Sequence, residues 1–244
     1  MKPSLLIALS YFFLLFTLST KLPLALSDNN NNKPLPVGAI GGGGPYVRIG
    51  EAFYIFPDYP PEDSQGGGLI LGQTSGQTMK NSTTKCSCPL TVLQNHYDAE
   101  LNGLPIHFTI PPSSPQPHYS TNSTDDYIVY TNTSLDITFI HKPINCAKSL
   151  KWIVVVDHDF PYPYIGVGGD HDKDYYSGKK IVNGAFHIQD LGDDNYREYN
   201  IVFCPTSSSS LGGCKYIGRY KNDVLAKRLI LTDKDPFQVV FFRV

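Results

Sequence analysis

About twelve short apolar or alternating runs, cut by Gly, Pro, Asn and Asp, occupy the chain from residue 53 onward. They are rich in Val, Ile, Tyr and Phe, which favour half-buried strands. No segment sustains an apolar period of 3.6 over ten residues, so almost no helix is predicted. The pattern therefore predicts an all-β domain, either a barrel or a sandwich. The runs are FYIF (53–56), LILG (69–72), TVLQ (91–94), IHFTI (106–110), YIVY (127–130), LDITFI (135–140), WIVVV (152–156), AFHIQ (185–189), YNIVF (199–203), KYIG (215–218), KRLIL (227–231) and QVVFF (238–242).

A faint internal repeat narrows the choice of fold. Three segments each join an aromatic-flanked strand, through a turn, to another strand: YIVYTNTSLDITF (127–139), AFHIQDLGDDNYREYNIVF (185–203) and KRLILTDKDPFQVVFF (227–242). A period of roughly 60 residues, with four strands in each unit, would give a β-trefoil of three pseudo-repeats.

The first 27 residues have the features of a secretory signal peptide. A basic residue, Lys2, precedes an apolar run from Leu5 to Leu18, and the small residues Ala25 and Ser27 are placed like a cleavage site. The alternative, a membrane anchor, is less favoured because the run is shorter than the roughly 20 residues that a spanning helix needs. We therefore predict secretion to the extracellular space, with the vacuole as the alternative destination.

Residues 28–45 begin with a polar repeat and end in GGGGP, so they are predicted to form a flexible leader. The folded domain is accordingly expected to cover residues 46–244. No later stretch is apolar enough to span a membrane, so no membrane partner is predicted.

The charge of the chain argues against a nucleic-acid partner. Of the 20 Lys and Arg residues, Lys2 and Lys21 lie in the predicted signal peptide, which leaves 18 basic against 22 acidic residues and a formal charge of −4. The basic residues are scattered and do not form the basic patch that nucleic-acid binding requires.

Secretion makes the five cysteines candidates for disulfide bonds, although an odd number leaves one without a partner in the chain. Three Asn-X-Ser/Thr sequons are predicted glycosylation sites, provided that they lie on exposed segments. The cysteines are Cys86, Cys88, Cys146, Cys204 and Cys214, and the sequons begin at Asn81, Asn122 and Asn132.

Other site classes find little support in the sequence. The D-H-D motifs at 157–159 and 170–172 could supply metal ligands, but their spacing fits neither a zinc nor a calcium motif, so no metal site is predicted.

The chain has no G-x-S-x-G motif, and its paired aspartates lie in turn-like contexts, so neither an enzyme nor a cofactor is predicted. FPYPY (160–164) is interpreted as a structured loop, with an aromatic binding ledge as the alternative.

Several motifs together resemble the plant Kunitz, or soybean trypsin inhibitor, family from Gly50 to the C-terminus. They are GEAFYIFP (50–57), GGGLIL (66–71), CPLTVLQ (88–94), GLPIHF (103–108), SLDITF (134–139), WIVVV (152–156), NGAFHI (183–188), YNIVFCP (199–205), CKYIG (214–218), RLIL (228–231) and PFQVVF (236–241). The resemblance implies a β-trefoil of twelve strands in three pseudo-repeats. It also implies two disulfides, Cys88 with Cys146 and Cys204 with Cys214. Cys86 has no counterpart, so a free thiol is favoured over an alternative bond to Cys146 or an intermolecular bridge.

The same resemblance implies a monomeric protease inhibitor whose partner is a secreted or vacuolar protease. The inhibitory loop would lie between the fourth strand, IHFTI (106–110), and the fifth, which YIVY (127–130) is expected to begin, so that it covers residues 111–127. Counting back from LDITF places the residue that enters the protease's S1 pocket at Asp125 or Asp126, followed by Tyr127.

An aspartate at that position argues against trypsin as the target. Trypsin's pocket has a carboxylate at its base, and burying a second one beside it is costly. A shifted register would offer Tyr119 or Tyr127 to a chymotrypsin-like pocket instead. A glycan on Asn122 would also crowd a docking protease.

The N-terminal region departs from the family pattern V-x-D-x-x-G followed by an Asn that braces the loop. Val37 is followed by Gly38 and Ala39, so the Asp is missing, and Ile49 stands where the Asn would be. A loop without this brace is expected to be more mobile. The alternative function is therefore a non-inhibitory protein of the same fold that serves in storage, taste modification or ligand binding.

Overall fold

The computed structural model describes residues 34–58, 66–72, 90–95, 102–112, 114, 127–140, 147–169, 176–192, 197–206, 211–223 and 226–244. These residues form thirteen β-strands and no α-helix, which confirms the predicted all-β class. The strands are β1 (Phe53–Pro57), β2 (Leu69–Gly72), β3 (Thr91–Asn95), β4 (Ile106–Thr109), β5 (Asp136–Phe139), β6 (Trp152–Val156), β7 (Tyr164–Val167), β8 (Lys180–Val182), β9 (Gly184–Asp190), β10 (Tyr199–Pro205), β11 (Lys215–Arg219), β12 (Ala226–Thr232) and β13 (Gln238–Arg243).

Six of the strands close into a barrel. Antiparallel pairing runs from β5 through β4, β1, β13 and β10 to β9. The ring closes where Leu135, just before β5, pairs with Phe186 of β9 through N–H···O bonds of 2.8 and 3.0 Å. Among the described residues, this bridge connects the two ends of the row of strands.

Three hairpins meet in a triangle that caps the barrel. They are β2–β3, β6–β7 and β11–β12. β3 pairs with β7, β7 with β12, and β12 with β3. Each third of the chain therefore contributes two barrel strands and one hairpin, and the fold is the β-trefoil that the sequence predicted.

The core fills the barrel with aromatic and β-branched side chains. Trp152 is buried, with its ring centroid 5.8 Å from those of both Phe139 and Phe186. At the other side of the barrel, Phe108 packs edge to face on Phe241 at 5.5 Å. Along β1, buried and half-buried residues alternate, as expected for a strand with one face on the core.

The strand predictions hold with three exceptions. YIVY (127–130) forms only isolated bridges, so the fifth strand of the trefoil begins at Asp136 rather than at Tyr127. β7 lies in a Pro- and Gly-rich stretch that the sequence did not predict as a strand. β8 was also missed, and it accounts for the thirteenth strand because only Asn183 separates it from β9.

The predicted leader differs from the structure over residues 35–40. Val37 and Ala39 are buried, and the amide of Gly38 donates a 2.7 Å hydrogen bond to the Tyr199 hydroxyl. Ile40 exchanges backbone hydrogen bonds with β13, donating to Phe241 and accepting from Arg243. Because these backbone groups are paired and two side chains lie in the core, this part of the segment belongs to the folded unit, which begins at Pro34. Among the described residues, no helix is long and apolar enough to cross a bilayer.

Candidate functional site

The predicted inhibitory loop follows β4 and ends before β5. The described part comprises its N-terminal end at residues 111, 112 and 114 and its C-terminal end at Tyr127. Asp125, Asp126 and Tyr119 lie outside the described residues, as does the sequon at Asn122. Tyr127 is 61% exposed.

Two consecutive amides hold both ends of the loop. The Ile49 N–H donates a 2.7 Å hydrogen bond to the carbonyl oxygen of Tyr127, and the Gly50 N–H donates a 3.1 Å bond to that of Phe108. Gly50 has a φ of +78°, a left-handed conformation that favours glycine. Because the two donors are adjacent in the chain, they fix the separation of the residues at which the loop leaves and re-enters the barrel.

Three buried valines support the end of the loop through a cyclic set of hydrogen bonds. Val37 N–H donates to Val129 at 2.8 Å, Val129 N–H donates to Val47 at 2.9 Å, and Val47 N–H donates to Val37 at 2.8 Å. Their side chains are at most 1% exposed. Every amide and carbonyl of the ring is therefore paired, as buried backbone groups require. The ring joins the N-terminal segment, the 46–50 turn and the chain just after the loop.

Arg243, at the end of β13, clamps the same turn. Its Nη2 donates a 2.8 Å bond to the Tyr46 carbonyl, its Nη1 pairs with the Glu51 carboxylate, and its guanidinium lies 5.0 Å from the centre of the Phe53 ring. Burial, and secondarily the charge of Arg48, lower the pKa of Arg243. A planar guanidinium suits these simultaneous contacts better than a lysine ammonium does.

The position of Ile49 explains how the loop ends are held without the family's asparagine. The Ile49 side chain is half-buried and packs against the core, while its backbone amide makes the bond to Tyr127.

Sequence reasoning missed the valine ring and Arg243. The available signal was the presence of isolated apolar residues, Val37 and Val47, in a Gly- and Pro-rich stretch.

The remaining predicted site residues divide between described and undescribed segments. The disulfide between Cys204 and Cys214 is confirmed. Cys86, Cys88, Cys146 and Asn81 lie outside the described residues. Asn132 is exposed, with a φ of 60° that asparagine tolerates, and its role as a glycosylation site stays a prediction.

The first D-H-D motif has a structural role. The Asp157 carboxylate lies 2.7 Å from Lys179 Nζ and accepts a 3.0 Å bond from the Asp159 amide. Burial raises the pKa of Asp157, but these hydrogen bonds and the charges of Lys179 and Arg228 outweigh it, and the pKa is lowered. The described ranges contain no group of three His, Cys, Asp or Glu residues suited to a metal, and residues 170–172 lie outside those ranges.

Comparisons with known proteins agree with the fold. Residues 43–243 match the legume Kunitz family model, described as trypsin and protease inhibitor. A Kunitz-type trypsin inhibitor-like 2 protein from Pisum sativum is 36% identical over 243 residues, covering 99% of this chain and 93% of the relative. Subtilisin inhibitor CLSI-II from Canavalia lineata is 38% identical over 194 residues, covering 79% of this chain and 84% of the relative. The crystal structure of a Kunitz type trypsin inhibitor from Cicer arietinum superposes with a TM-score of 0.64 at 35% identity, covering 86% of this chain and 99% of that one. The chain therefore belongs to the legume Kunitz family of trypsin and protease inhibitors.

Proposed function

We propose that the chain is a secreted, monomeric inhibitor of a serine protease and presents residues 111–127 as a substrate-like loop. The observation that carries the proposal is the attachment of both loop ends, at Phe108 and Tyr127, to the adjacent amides of Ile49 and Gly50. Family membership supports it. The disulfide between Cys204 and Cys214 supports secretion, because such bonds persist in oxidising compartments.

The anchored loop ends suit inhibition for a physical reason. A protease binds its substrate in an extended form, and a flexible peptide loses conformational freedom on binding. A loop whose ends are already fixed loses less, so more of the contact energy appears as affinity. If the protease cuts the loop, the Ile49 and Gly50 bonds still hold the chain on both sides of it, which opposes separation of the two fragments.

The proposed target is a serine protease other than trypsin. An Asp at 125 or 126 would meet the carboxylate of a trypsin S1 pocket, which is unfavourable in a desolvated site. The Canavalia lineata relative is named as an inhibitor of subtilisin, so a subtilisin-type protease is the first candidate.

Inhibition constants for subtilisin, elastase, chymotrypsin and trypsin test the proposal. We expect subtilisin to be inhibited at about micromolar concentration or below, and trypsin roughly 100-fold more weakly, which corresponds to about 2.7 kcal/mol. Strong trypsin inhibition would contradict the assignment of the target. Failure to inhibit any of the four at micromolar concentration would contradict the function and favour the alternative of a storage, taste-modifying or ligand-binding protein.

A further inference from the structure

A surface groove of about 290 Å³ lies where the 160–162 segment meets the turns after β11 and β12. None of the residues that line it belongs to the inhibitory loop or its supports. Tyr162 and Tyr220 supply aromatic surface, and Thr232 and Asn222 supply polar groups. Arg219, Lys221, Lys234 and Asp235 supply charge, and Ile230 completes the lining.

The aromatic wall of the groove is held in place by ring packing. The Tyr162 ring, in a residue that is 44% exposed, lies 5.9 Å from Tyr220 and 6.3 Å from Phe160. Phe160 in turn packs on Tyr220 at 4.9 Å and covers the buried guanidinium of Arg228 at 3.8 Å. An exposed ring fixed by such contacts loses little freedom when a ligand covers it.

The charged groups of the groove are mainly cationic. Lys221 pairs with Asp235 at 3.1 Å, but both side chains are more than 70% exposed, so the pair is easily opened. Lys234 is exposed and forms no ion pair with another described residue. The Arg219 guanidinium already has two partners within the protein, because it donates to the Gln94 side chain and lies over the Phe237 ring. Three cations against one carboxylate make this site locally positive on a chain of formal charge −2.

We propose that this groove binds an acidic oligosaccharide built of uronic acid residues. The apolar C–H face of a pyranose ring can cover the Tyr162 ring, which removes apolar surface from water. Its carboxylate can pair with Lys234, and its hydroxyls can bond to Asn222 and Asp235. A neutral sugar would leave the cations without a partner, and the Asp and Glu side chains of an acidic peptide lack the pyranose C–H face that covers the Tyr162 ring.

The groove and the inhibitory loop can be occupied together. Asp235 of the groove precedes β13, whereas Arg243, which clamps the turn that holds the loop, ends it. A strand of this length spans roughly 17 Å. Binding at the groove would therefore attach the protein to an acidic polysaccharide without covering the loop.

Calorimetric titration of the full chain with an oligogalacturonide tests this proposal. We expect Tyr162→Ala to weaken binding by about tenfold and Tyr162→Phe, which keeps the ring, by less than about twofold. Lys234→Gln should weaken binding by about three- to fivefold, and less at high salt. Lys180→Gln removes the same charge from another exposed lysine, outside the groove, and should have no effect.

Three outcomes would overturn the proposal. One is the absence of oligogalacturonide binding. Another is binding that Tyr162→Ala leaves unchanged. The third is equal or tighter binding of polyglutamate or a single-stranded oligonucleotide, which would indicate general attraction of polyanions or a different ligand. Circular dichroism of each variant separates loss of binding from loss of folding.

Discussion

The backbone amide of Ile49 donates a 2.7 Å hydrogen bond to the carbonyl oxygen of Tyr127, the residue at which the loop returns to the barrel. The Kunitz family pattern has a bracing asparagine at this position, and its replacement by Ile49 led us to expect a more mobile loop. Here the described support comes from the backbone instead. Any change that shifts the 46–50 turn should therefore reach the loop, whereas the side chain at position 49 matters mainly for packing.

Arg243 should be a positioning residue for the loop, because it clamps that turn through Tyr46 and Glu51. Arg243→Leu leaves the Glu51 carboxylate and the Tyr46 carbonyl without this donor and is expected to lower the free energy of unfolding by about 1–3 kcal/mol. We expect the inhibition constant to rise about tenfold and the target protease to cleave the loop faster. Lys215→Leu, which breaks an ion pair with the exposed Asp233, is the control and should leave inhibition unchanged. Equal inhibition by both variants would contradict the prediction that Arg243 positions the loop.

Asp125→Arg should create trypsin inhibition, because it offers a cation to a pocket with a carboxylate at its base. The inhibition constant for trypsin is expected to fall by at least about 100-fold. Asp193→Arg makes the same charge change in a different segment and serves as the control. If only Asp126→Arg had this effect, the register would shift by one residue. If neither variant gained it, the proposed register would be wrong.

The disulfide between Cys204 and Cys214 closes a loop with a sequence separation of 10. Replacing both cysteines by alanine should lower the free energy of unfolding by about 3 kcal/mol in the chain-entropy model. Urea denaturation of the oxidised protein and the variant measures this difference. Because the bond lies away from the turn that holds the loop, inhibition should persist wherever the variant is folded. A variant that keeps its stability would contradict the structural role of the bond.

The ion pair between Asp157 and Lys179 should make stability depend on pH at the acidic end. The pKa of Asp157 is lower in the folded state, so the pair contributes stability above the unfolded value of about 3.9 and loses it as the pH falls below that value. The stability difference between the wild type and Asp157→Asn should therefore be full at about pH 7 and smaller at about pH 3. A stability difference that grows on acidification would contradict the lowered pKa of Asp157 in the folded state.

Local patterns predicted most strands because the barrel and cap are built from β-branched and aromatic runs. β7 was missed because its Gly166 and the flanking Pro and Gly residues indicate a loop. In the structure, a Cβ on Gly166 would lie 2.7 Å from the Tyr176 hydroxyl and 3.2 Å from the Leu90 carbonyl, so close packing explains the glycine. The same reasoning treated residues 35–40 as a leader, since GGGGP follows them.

The site was predicted only in its position along the chain. The ring of Val37, Val47 and Val129 joins two neighbouring N-terminal segments to one far along the chain, and no local pattern indicates which valines meet. Arg243 lies 197 residues from Tyr46, whose carbonyl it contacts. Such pairings depend on closure of the barrel, so they follow from the fold and not from the composition of any one segment.

Mapping the bond that the target protease cuts tests the central claim most directly. The full chain is incubated with a catalytic amount of an inhibited protease, and the fragments are identified by mass spectrometry under reducing conditions. We predict a single cut after Asp125, Asp126 or Tyr127, with the two fragments remaining associated before denaturation, because Ile49 and Gly50 hold both sides of the loop. Inhibition accompanied by a first cut outside residues 111–127 would contradict the claim that this loop is the inhibitory site.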